Sequence, residues 1–337
     1  RVEATTPVSD ASNPDIPGWQ DFAKSAEEAG IDSLLISFSR AEPDPMLLAC
    51  ALGQETRKLK FIVAFRSGLM QPAAFVQQAN TLSGLIGGRV SLNTVAGSSS
   101  AEQKGYGDFL AHDDRYARAG EFLAACNAFW GGDGPVDFEG RHYQVEGGTI
   151  FTRFQSADRQ APEMYVSGHS DAAQDLAAQR GSCWLRVIDT PVALEKCVRA
   201  MRARGREVCL RLCIVCRATR EEAVSVIDGL MNDEELNRIE PRFPVRDDSQ
   251  MYREAADPEN SAWRGERIWT GFTPRFGPVW TTLVGTPDEL AASFLDYKRI
   301  GVSQFIISGW PETEEVQIFG REVVPRVRAL EQLEKAA

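Results

Sequence analysis

The sequence predicts an α/β protein whose parallel strands close into a (β/α)8 TIM barrel. Short β-branched apolar runs alternate with longer helical patterns along almost the whole chain, which is typical of βαβ units. The strand candidates are apolar on both faces, as expected for a sheet covered by helices. No break in composition divides the 337 residues, and barrels of this kind often exceed ~250 residues as one domain. We therefore expect a single domain over residues 1–337.

Seven strands are predicted, and the first strand of the barrel is expected at or before the start of the chain. The candidates are, in order, "SLLISF", "LKFIVAF", "RVSLNTVAG", "EMYVSG", "CWLRVI", "CLRLCIVCR" and "QFIISGW". Helical patterns with apolar residues one turn apart lie between them. An open doubly wound sheet is the structural alternative. The barrel is favoured because the units repeat without an antiparallel segment until about residue 130.

Two irregular segments are expected to be insertions between these units. The first, about 131–160, contains "GPVDFEGRHYQVEGG", whose alternation and glycine turns predict a hairpin. The second, 232–278, is longer than the ~12 to 15 residues that loops without structure of their own usually reach. We therefore expect the second segment to be a lid.

Composition excludes several partners and sites. A net charge of -11 argues against nucleic acid, because phosphate binding requires a basic face. No apolar run approaches the ~20 residues of a membrane span. The seven cysteines are odd in number and lie mostly in apolar runs, which favours reduced thiols in a cytoplasmic protein over disulfides or a zinc site.

In a barrel, functional side chains come from the carboxyl ends of strands and the loops that follow them. The turn in "YVSGHSDAAQDLA" ends a strand and begins a helix near Ser170. Its amides and hydroxyls either bind a phosphate or only cap the helix. Asn93 is a polar group on an apolar strand and requires a partner. A ligand and a neighbouring strand end are equally good partners on this evidence.

The segment "LAHDDRYARAGEF" predicts the start of a helix with Asp113 or Asp114 as its cap. His112 and Tyr116 are one turn apart, so both can face the same ligand. A metal site is not expected, because the other histidines, His142 and His169, complete no ligand pattern.

Charged residues at two later strands are further candidates. Arg211 lies between Leu210 and Leu212 on an apolar strand, so its charge is paired either in a salt bridge or with an anionic substrate. Glu312, after the last strand, is either a base or part of the acidic first turn of a helix. The strand ends contain no lysine, which argues against an aldolase-type barrel.

Several segments, in their order and spacing, resemble the bacterial-luciferase-like flavin-dependent monooxygenases, most closely the alkanesulfonate monooxygenase branch. They are "LKFIVAFRSGLMQPAAFVQQANTLSGLIGGRVSLNTVAG", "GYGDFLAHDDRYARAGEF", "FEGRHYQVEGG", "YVSGHSDAAQDLA", "LRLCIVCRATREEA" and "FIISGWPETEE". The resemblance implies a (β/α)8 barrel, a homodimer or homotetramer, and no metal. It also implies that reduced FMN (FMNH2) from a separate NAD(P)H-dependent flavin reductase reacts with O2, and that a flavin peroxide oxygenates a small-molecule substrate.

Carried over by position, the resemblance assigns two groups of flavin-contacting residues. Contacts to the flavin fall on Ala64, Asn93, Ala96, His112 and Tyr116, and contacts to its phosphate on Ser167, Gly168, His169 and Ser170.

The substrate side departs from the alkanesulfonate branch. An arginine-x-histidine of that branch reads Arg211-Leu212-Cys213 here, and its cysteine after the second strand is replaced by Glu42. The tyrosine and histidine after its last strand are replaced by Trp310 and Glu312, and its mobile-loop arginine falls at Phe276 with Arg275 adjacent. The candidate catalytic residues are therefore Arg211, Trp310, Glu312, Glu42 and Arg275.

These departures change the expected substrate. The histidine is lost and two carboxylates are gained, and carboxylates repel a sulfonate. We therefore expect oxygenation of a different, less anionic substrate. The alternatives within the fold are a non-catalytic flavin-binding protein and an oxidoreductase that depends on the deazaflavin F420.

Overall fold

The structure is a computed structural model, and it describes residues 2–5, 14–40, 42–234, 248–249, 251–252, 262–309 and 312–336. The chain divides into two compact units, which are described separately. Unit 1 consists of residues 1–5, 25–31 and 185–337, and unit 2 of residues 6–24 and 32–184. A single domain over residues 1–337 stays a prediction.

The described residues contain thirteen strands and twelve α-helices. The strands are β1 (Val2–Thr5), β2 (Ser33–Ile36), β3 (Lys60–Phe65), β4 (Val90–Thr94), β5 (Val136–Glu139), β6 (Gln144–Gly148), β7 (Met164–Ser167), β8 (Cys183–Val187), β9 (Glu207–Cys216), β10 (Trp263–Arg264), β11 (Ile268–Trp269), β12 (Thr282–Gly285) and β13 (Gln304–Gly309). The α-helices are α1 (Ile16–Glu28), α2 (Pro45–Glu55), α3 (Pro72–Leu85), α4 (Ser100–Gly105), α5 (His112–Gly131), α6 (Asp171–Arg180), α7 (Pro191–Ala203), α8 (Arg220–Met231), α9 (Thr273–Phe276), α10 (Pro287–Ile300), α11 (Glu312–Ile318) and α12 (Val324–Ala336). A 3-10 turn (Pro278–Trp280) precedes β12, and a π-turn (Phe319–Val323) joins α11 to α12.

Local sequence explains where many helices begin. Proline stands in the first turn of α2, α3, α7 and α10, where its missing N–H costs no hydrogen bond. Asp44 accepts from the amides of Met46 and Leu47 at the start of α2. Thr286 and Glu289 form a capping box at the start of α10, which satisfies amides that a helix start leaves free.

Unit 2 contains a parallel sheet in the order β2-β3-β4-β7. The register places Ala64 opposite Asn93, and Asn93 opposite Tyr165. Phe65, Phe75 and Phe122 pack against one another, with ring centroids 4.3 Å apart for the first pair and 5.2 Å for the second. Helices α3 and α5 are thereby held against the end of β3. The segment predicted as a hairpin contains β5 and β6, which pair antiparallel.

Unit 1 contains β1, β13, β9 and β12 as parallel neighbours. Strand β9 pairs with β13 through its first half and with β12 through its second half. The short strands β10 and β11 extend this sheet antiparallel. A core of Trp269, Phe272 and Phe276 packs against Val215 and Val284, so the end of the sequence segment 232–278 is anchored in this unit.

The seven predicted strands are confirmed, and β1 lies at the chain start as expected. Strand β12 was not predicted. The helix that follows "LA" begins at His112, and its cap is Ala111, which makes no side-chain cap bond. The prediction that Asp113 or Asp114 caps it is therefore wrong. Both lie inside the first turn, where their charges favour the positive end of the helix.

Much of the predicted lid, namely residues 235–247, 250 and 253–261, lies outside the described residues. Its described end contains β10, β11 and α9.

Candidate functional site

Two neighbouring strand ends of unit 2 are joined by their side chains. The hydroxyl of Ser167, at the end of β7, donates to Oδ1 of Asn93 on β4 over 2.7 Å. Asn93 is 3% exposed, so this partner satisfies an otherwise costly buried group. The neighbouring-strand partner expected as one alternative is thus present, and it fixes the Asn93 amide at the carboxyl edge of the sheet.

Tyr116 adds a third member to this edge. Its hydroxyl donates to the carbonyl oxygen of Ser167 over 3.4 Å, and its ring lies 5.0 Å from the His112 ring, centroid to centroid. Burial raises the pKa of Tyr116 to about 12, although a hydrogen bond with Ser170 acts against the rise. Tyr116 is therefore a neutral hydrogen-bond donor near pH 7, and the predicted one-turn pairing with His112 is present. We call Asn93, Tyr116, Ser167, Gly168 and Ser170 the Asn93 cluster.

The turn after β7 is tightly constrained. Gly168 has φ +147°, and a Cβ there would lie 2.5 Å from the Tyr116 hydroxyl and closer still to the Cβ of Ala173, so only glycine fits. The indole N–H of Trp184 donates to the Gly168 carbonyl over 2.9 Å. Ser170 accepts from the Ala173 amide over 3.3 Å and thereby caps α6. The turn is a helix N-terminus with hydroxyls beside it, which suits a phosphate group.

The loop after β4 is held by an arginine that sequence reasoning missed. Arg115 is 2% exposed, and its Nε and Nη1 donate to the carbonyls of Ala96 and Leu110, each over 2.8 Å. Ala96, a predicted flavin position, is therefore fixed by α5. The signal was weak, because Arg115 in "HDDRY" looks like a solvent-facing helix residue.

A second missed pair joins the loops after β3 and β4. Arg66 Nη2 and Glu102 Oε2 are 2.9 Å apart, and their side chains are 6% and 8% exposed. Glu102 also accepts from the amide of Arg40, after β2, over 3.0 Å. The Arg66 guanidinium lies 4.9 Å from the Phe38 ring and 5.4 Å from the Tyr106 ring, distances suited to cation–π attraction. Three successive loops of unit 2 thus meet at one ion pair.

The predicted catalytic residues are spread over both units. Glu42 lies in unit 2, and Arg211, Trp310, Glu312 and Arg275 lie in unit 1. Trp310 lies outside the described residues, as do the side chains of Glu312, the first residue of α11, and Arg275, within α9.

Unit 1 supplies a different polar edge. Cys213, at the position that the resemblance matches to a histidine of the alkanesulfonate branch, has its Sγ 3.2 Å from the Ser308 hydroxyl and 3.5 Å from the Val279 carbonyl. A thiol offers only a weak donor, so Cys213 itself gives an anion little stabilisation.

A fully buried carboxylate was missed in the same unit. Glu315 on α11 is 0% exposed, forms an ion pair with Arg217, and accepts from the Cys216 amide over 3.2 Å. Burial raises the pKa of Glu315 to about 7, with the hydrogen bond from Arg217 acting against the rise. Glu315 ties α11, whose first residue is Glu312, to the end of β9.

Across the described ranges, no cluster of three or more His, Cys, Asp or Glu side chains is placed to hold a metal ion. All seven cysteines are free thiols. Among the helices whose residues are described, none has both the length and the apolarity needed to cross a membrane.

In parallel α/β proteins, ligand sites lie at the carboxyl ends of the strands. The turn after β7 and the fixed polar groups of the Asn93 cluster lie at that edge. The sequence profile of the luciferase-like monooxygenases matches residues 3–304. The chain therefore belongs to the luciferase-like monooxygenase family.

Solved structures agree with this family assignment. A riboflavin lyase, determined with modified FMN and riboflavin, is 19% identical at a TM-score of 0.78, covering 98% of this chain and 92% of that one. An EDTA monooxygenase from Chelativorans sp. is 18% identical at 0.76, covering 97% and 93%. An F420-dependent secondary alcohol dehydrogenase is 19% identical at 0.70, covering 97% and 98%. At these identities the likeness shows the fold, and it confirms the predicted α/β barrel class.

Proposed function

We propose that this protein is a two-component flavin-dependent monooxygenase that uses FMNH2 and O2 to oxygenate a small organic substrate. The observation that carries the proposal is the Asn93 cluster. Its residues fall at the positions that the family resemblance assigns to the flavin, and internal hydrogen bonds fix them in one arrangement. Such preorganisation is what a cofactor site requires.

The donor set of this edge fits FMN. The turn at Ser167, Gly168, His169 and Ser170 would hold the phosphate at the start of α6. Ala64 on β3 and Ala96 in the loop after β4 carry small side chains, which would leave the backbone there open to a flat ring. His112 and Tyr116 would contact the same cofactor from α5, Tyr116 as a neutral donor. When bound, the reduced flavin supplies the electrons that activate O2.

The substrate side supports an uncharged or weakly charged substrate. Arg211 is a candidate for orienting a polar group of the substrate, and Glu42, Glu312, Trp310 and Arg275 are further candidates. Cys213, which is hydrogen-bonded to Ser308, lies at the position matched to a histidine of the alkanesulfonate branch. A sulfonate would lack that cationic partner, so we propose a substrate outside the plain alkanesulfonates.

The proposal includes partners and a setting. A separate NAD(P)H-dependent flavin reductase would supply FMNH2, and the protein would act as a homodimer or homotetramer in the cytoplasm. The free thiols are compatible with a reducing compartment.

Anaerobic titration with photoreduced FMN, followed by fluorescence quenching, tests the cofactor. We expect tight saturable binding of FMNH2, and an absence of binding would overturn the proposal. Oxygen uptake with a flavin reductase and a panel of neutral and anionic substrates then tests catalysis. Uptake that stays at the free-flavin background across the panel would favour the non-catalytic flavin-binding alternative.

A second candidate cofactor is F420, because a structurally similar protein is an F420-dependent alcohol dehydrogenase. Parallel titration with F420 and mass spectrometry of the protein purified from its native host distinguish the two. Retention of F420 without affinity for FMNH2 would replace the monooxygenase proposal with an F420-dependent oxidoreductase.

A further inference from the structure

Two buried side chains that follow β3 and β4 in unit 2 hold polar nitrogens without partners. On Arg66, whose side chain is 6% exposed, Nε and Nη1 are buried and make no hydrogen bond, although Nη2 pairs with Glu102. On Gln103, which is 2% exposed, Nε2 is likewise buried without a partner. Each buried donor without a hydrogen bond lowers the stability of the fold by about 1–3 kcal/mol. Three such donors on two neighbouring side chains therefore suggest that a ligand supplies the acceptors.

The two side chains that carry these three nitrogens lie next to positions that the family resemblance assigns to the flavin. Arg66 follows Ala64 by two residues along the direction of β3, and residues two apart on an extended chain point to the same face. The side-chain amide of Gln103 fills the space beside Gly97 that a Cβ would occupy, and Gly97 follows Ala96. The two donors therefore border the strand ends β3 and β4 at their carboxyl edge.

The charge at this place selects the kind of acceptor. Glu102 already pairs with the Arg66 guanidinium, so the pair carries no net charge to attract an anion. The unmet N–H groups instead suit a neutral carbonyl oxygen. The isoalloxazine ring of a flavin carries carbonyl oxygens on its pyrimidine part, at the opposite end of the molecule from its phosphate.

We propose that Arg66 and Gln103 are flavin-ring-binding residues that donate hydrogen bonds to carbonyl oxygens of the isoalloxazine. This inference rests on the proposed function and extends it, because the resemblance assigned neither residue. The Glu102 carboxylate and the Phe38 and Tyr106 rings hold the Arg66 guanidinium in place. They are positioning residues for this contact.

The test compares two flavins, so that binding of the ring can be distinguished from binding of the phosphate. Dissociation constants are measured anaerobically for reduced FMN and for reduced lumiflavin, which has the ring without the ribityl phosphate. Arg66→Lys keeps a cation for Glu102 but lacks Nε and Nη1, and Gln103→Leu removes the second donor without touching the ion pair. We expect each variant to bind both flavins about tenfold more weakly.

Matched controls isolate the effect. Arg89, before β4 at the opposite edge of the same sheet, donates to the carbonyls of Gly53 and Leu59. Arg89→Lys should lower the melting temperature without changing either flavin affinity. Ser170→Ala should weaken FMN binding and leave lumiflavin binding unchanged.

The outcomes separate the inference from the function on which it rests. Folded Arg66→Lys and Gln103→Leu proteins with wild-type affinity for both flavins would overturn the inference alone. A loss confined to FMN would also overturn it, because the contact would then lie at the phosphate end. Wild-type protein that binds neither flavin would overturn the proposed function and the inference together.

Discussion

The Asn93 cluster of unit 2 and the Arg217–Glu315 pair of unit 1 are built in different ways. In unit 2, the Asn93 cluster links the ends of β4 and β7 to α5 through hydrogen bonds that involve neutral groups. In unit 1, Arg217 and a carboxylate that is fully buried on α11 form an ion pair. Neutral networks are insensitive to pH near neutrality, whereas a buried carboxylate with a raised pKa is sensitive. We therefore expect substitutions in the Asn93 cluster to act on cofactor affinity and a substitution of Glu315 to act on pH dependence.

The largest expected effect on flavin affinity comes from a substitution at the most crowded position of the Asn93 cluster. Gly168→Ala introduces a Cβ that overlaps Ala173 and the Tyr116 hydroxyl at a positive φ. Strain and overpacking together cost about 3 kcal/mol, so FMNH2 affinity should fall on the order of a hundredfold. Quenching titrations measure the change. Gly131→Ala, whose Cβ would meet nothing within 4 Å, is the control, and equal behaviour of the two variants would contradict the role of the turn.

The next largest expected effect is a pH dependence of the unfolding free energy that arises from Glu315 in unit 1. Burial raises the folded pKa of Glu315 to about 7, above the value of an unfolded glutamate. The stabilisation by its proton is complete below the unfolded pKa and is lost as the pH rises through about 7. Glu315→Gln stays neutral throughout. The unfolding free energy of wild type relative to this variant should therefore decrease by up to ~3 kcal/mol from about pH 4.5 to about pH 7.5.

Urea unfolding followed by circular dichroism at each pH measures that difference. Glu322→Gln, at an exposed ion pair with Arg326, serves as the control and should show little pH dependence against wild type. A wild-type minus Glu315→Gln difference that stays constant with pH would show that Glu315 is ionised throughout.

A smaller effect concerns the α5 contact of unit 2. His112→Ala removes a ring that packs against Tyr116 at a tilt of 60° and is proposed to face the flavin. FMNH2 affinity should fall about tenfold, the value of roughly one good hydrogen bond to a charged group, with little change in unfolding free energy, because His112 is only partly buried. Unchanged FMNH2 affinity would show that His112 does not contact the flavin and serves only as the first residue of α5.

The smallest expected effect on flavin binding comes from a substitution of Arg211 in unit 1. Arg211→Ala alters unit 1, so its FMNH2 affinity should stay within about twofold of wild type, while turnover of the identified substrate decreases. Titration and steady-state kinetics measured on the same preparation provide the check. A loss of flavin affinity comparable to that of His112→Ala would show that Arg211 also contributes to flavin binding.

Sequence patterns predicted the strands well because parallel strands buried on both faces form unbroken apolar runs, as in "LKFIVAF" and "CLRLCIVC". Strand β12 escaped prediction although β2 and β7 are equally short. Its run "TTLVG" contains only two large apolar residues and lies just after the irregular segment interpreted as a lid. The cap of α5 was misplaced because the aspartates one and two positions inside the helix match the same preference for the helix start.

The candidate site was predictable only where it followed a local or family pattern. Asn93, Tyr116 and the Ser167 to Ser170 turn were named, and the structure brings them together. The pairs Arg66–Glu102 and Arg217–Glu315 join residues 36 and 98 positions apart. No local pattern encodes such partners, since a charged residue near a strand end reads as a solvated group until the fold buries it.

The hydrogen bond from Trp184 to the Gly168 carbonyl gives the molecule an optical property of its own. The indole is fully shielded from water, so its emission wavelength depends on the local field at this backbone carbonyl. Any group that settles on the turn and polarises that carbonyl will shift the colour of Trp184 fluorescence. Trp184 is thus one natural fluorophore, among the seven tryptophans of the chain, that is hydrogen-bonded to the turn proposed to hold the phosphate.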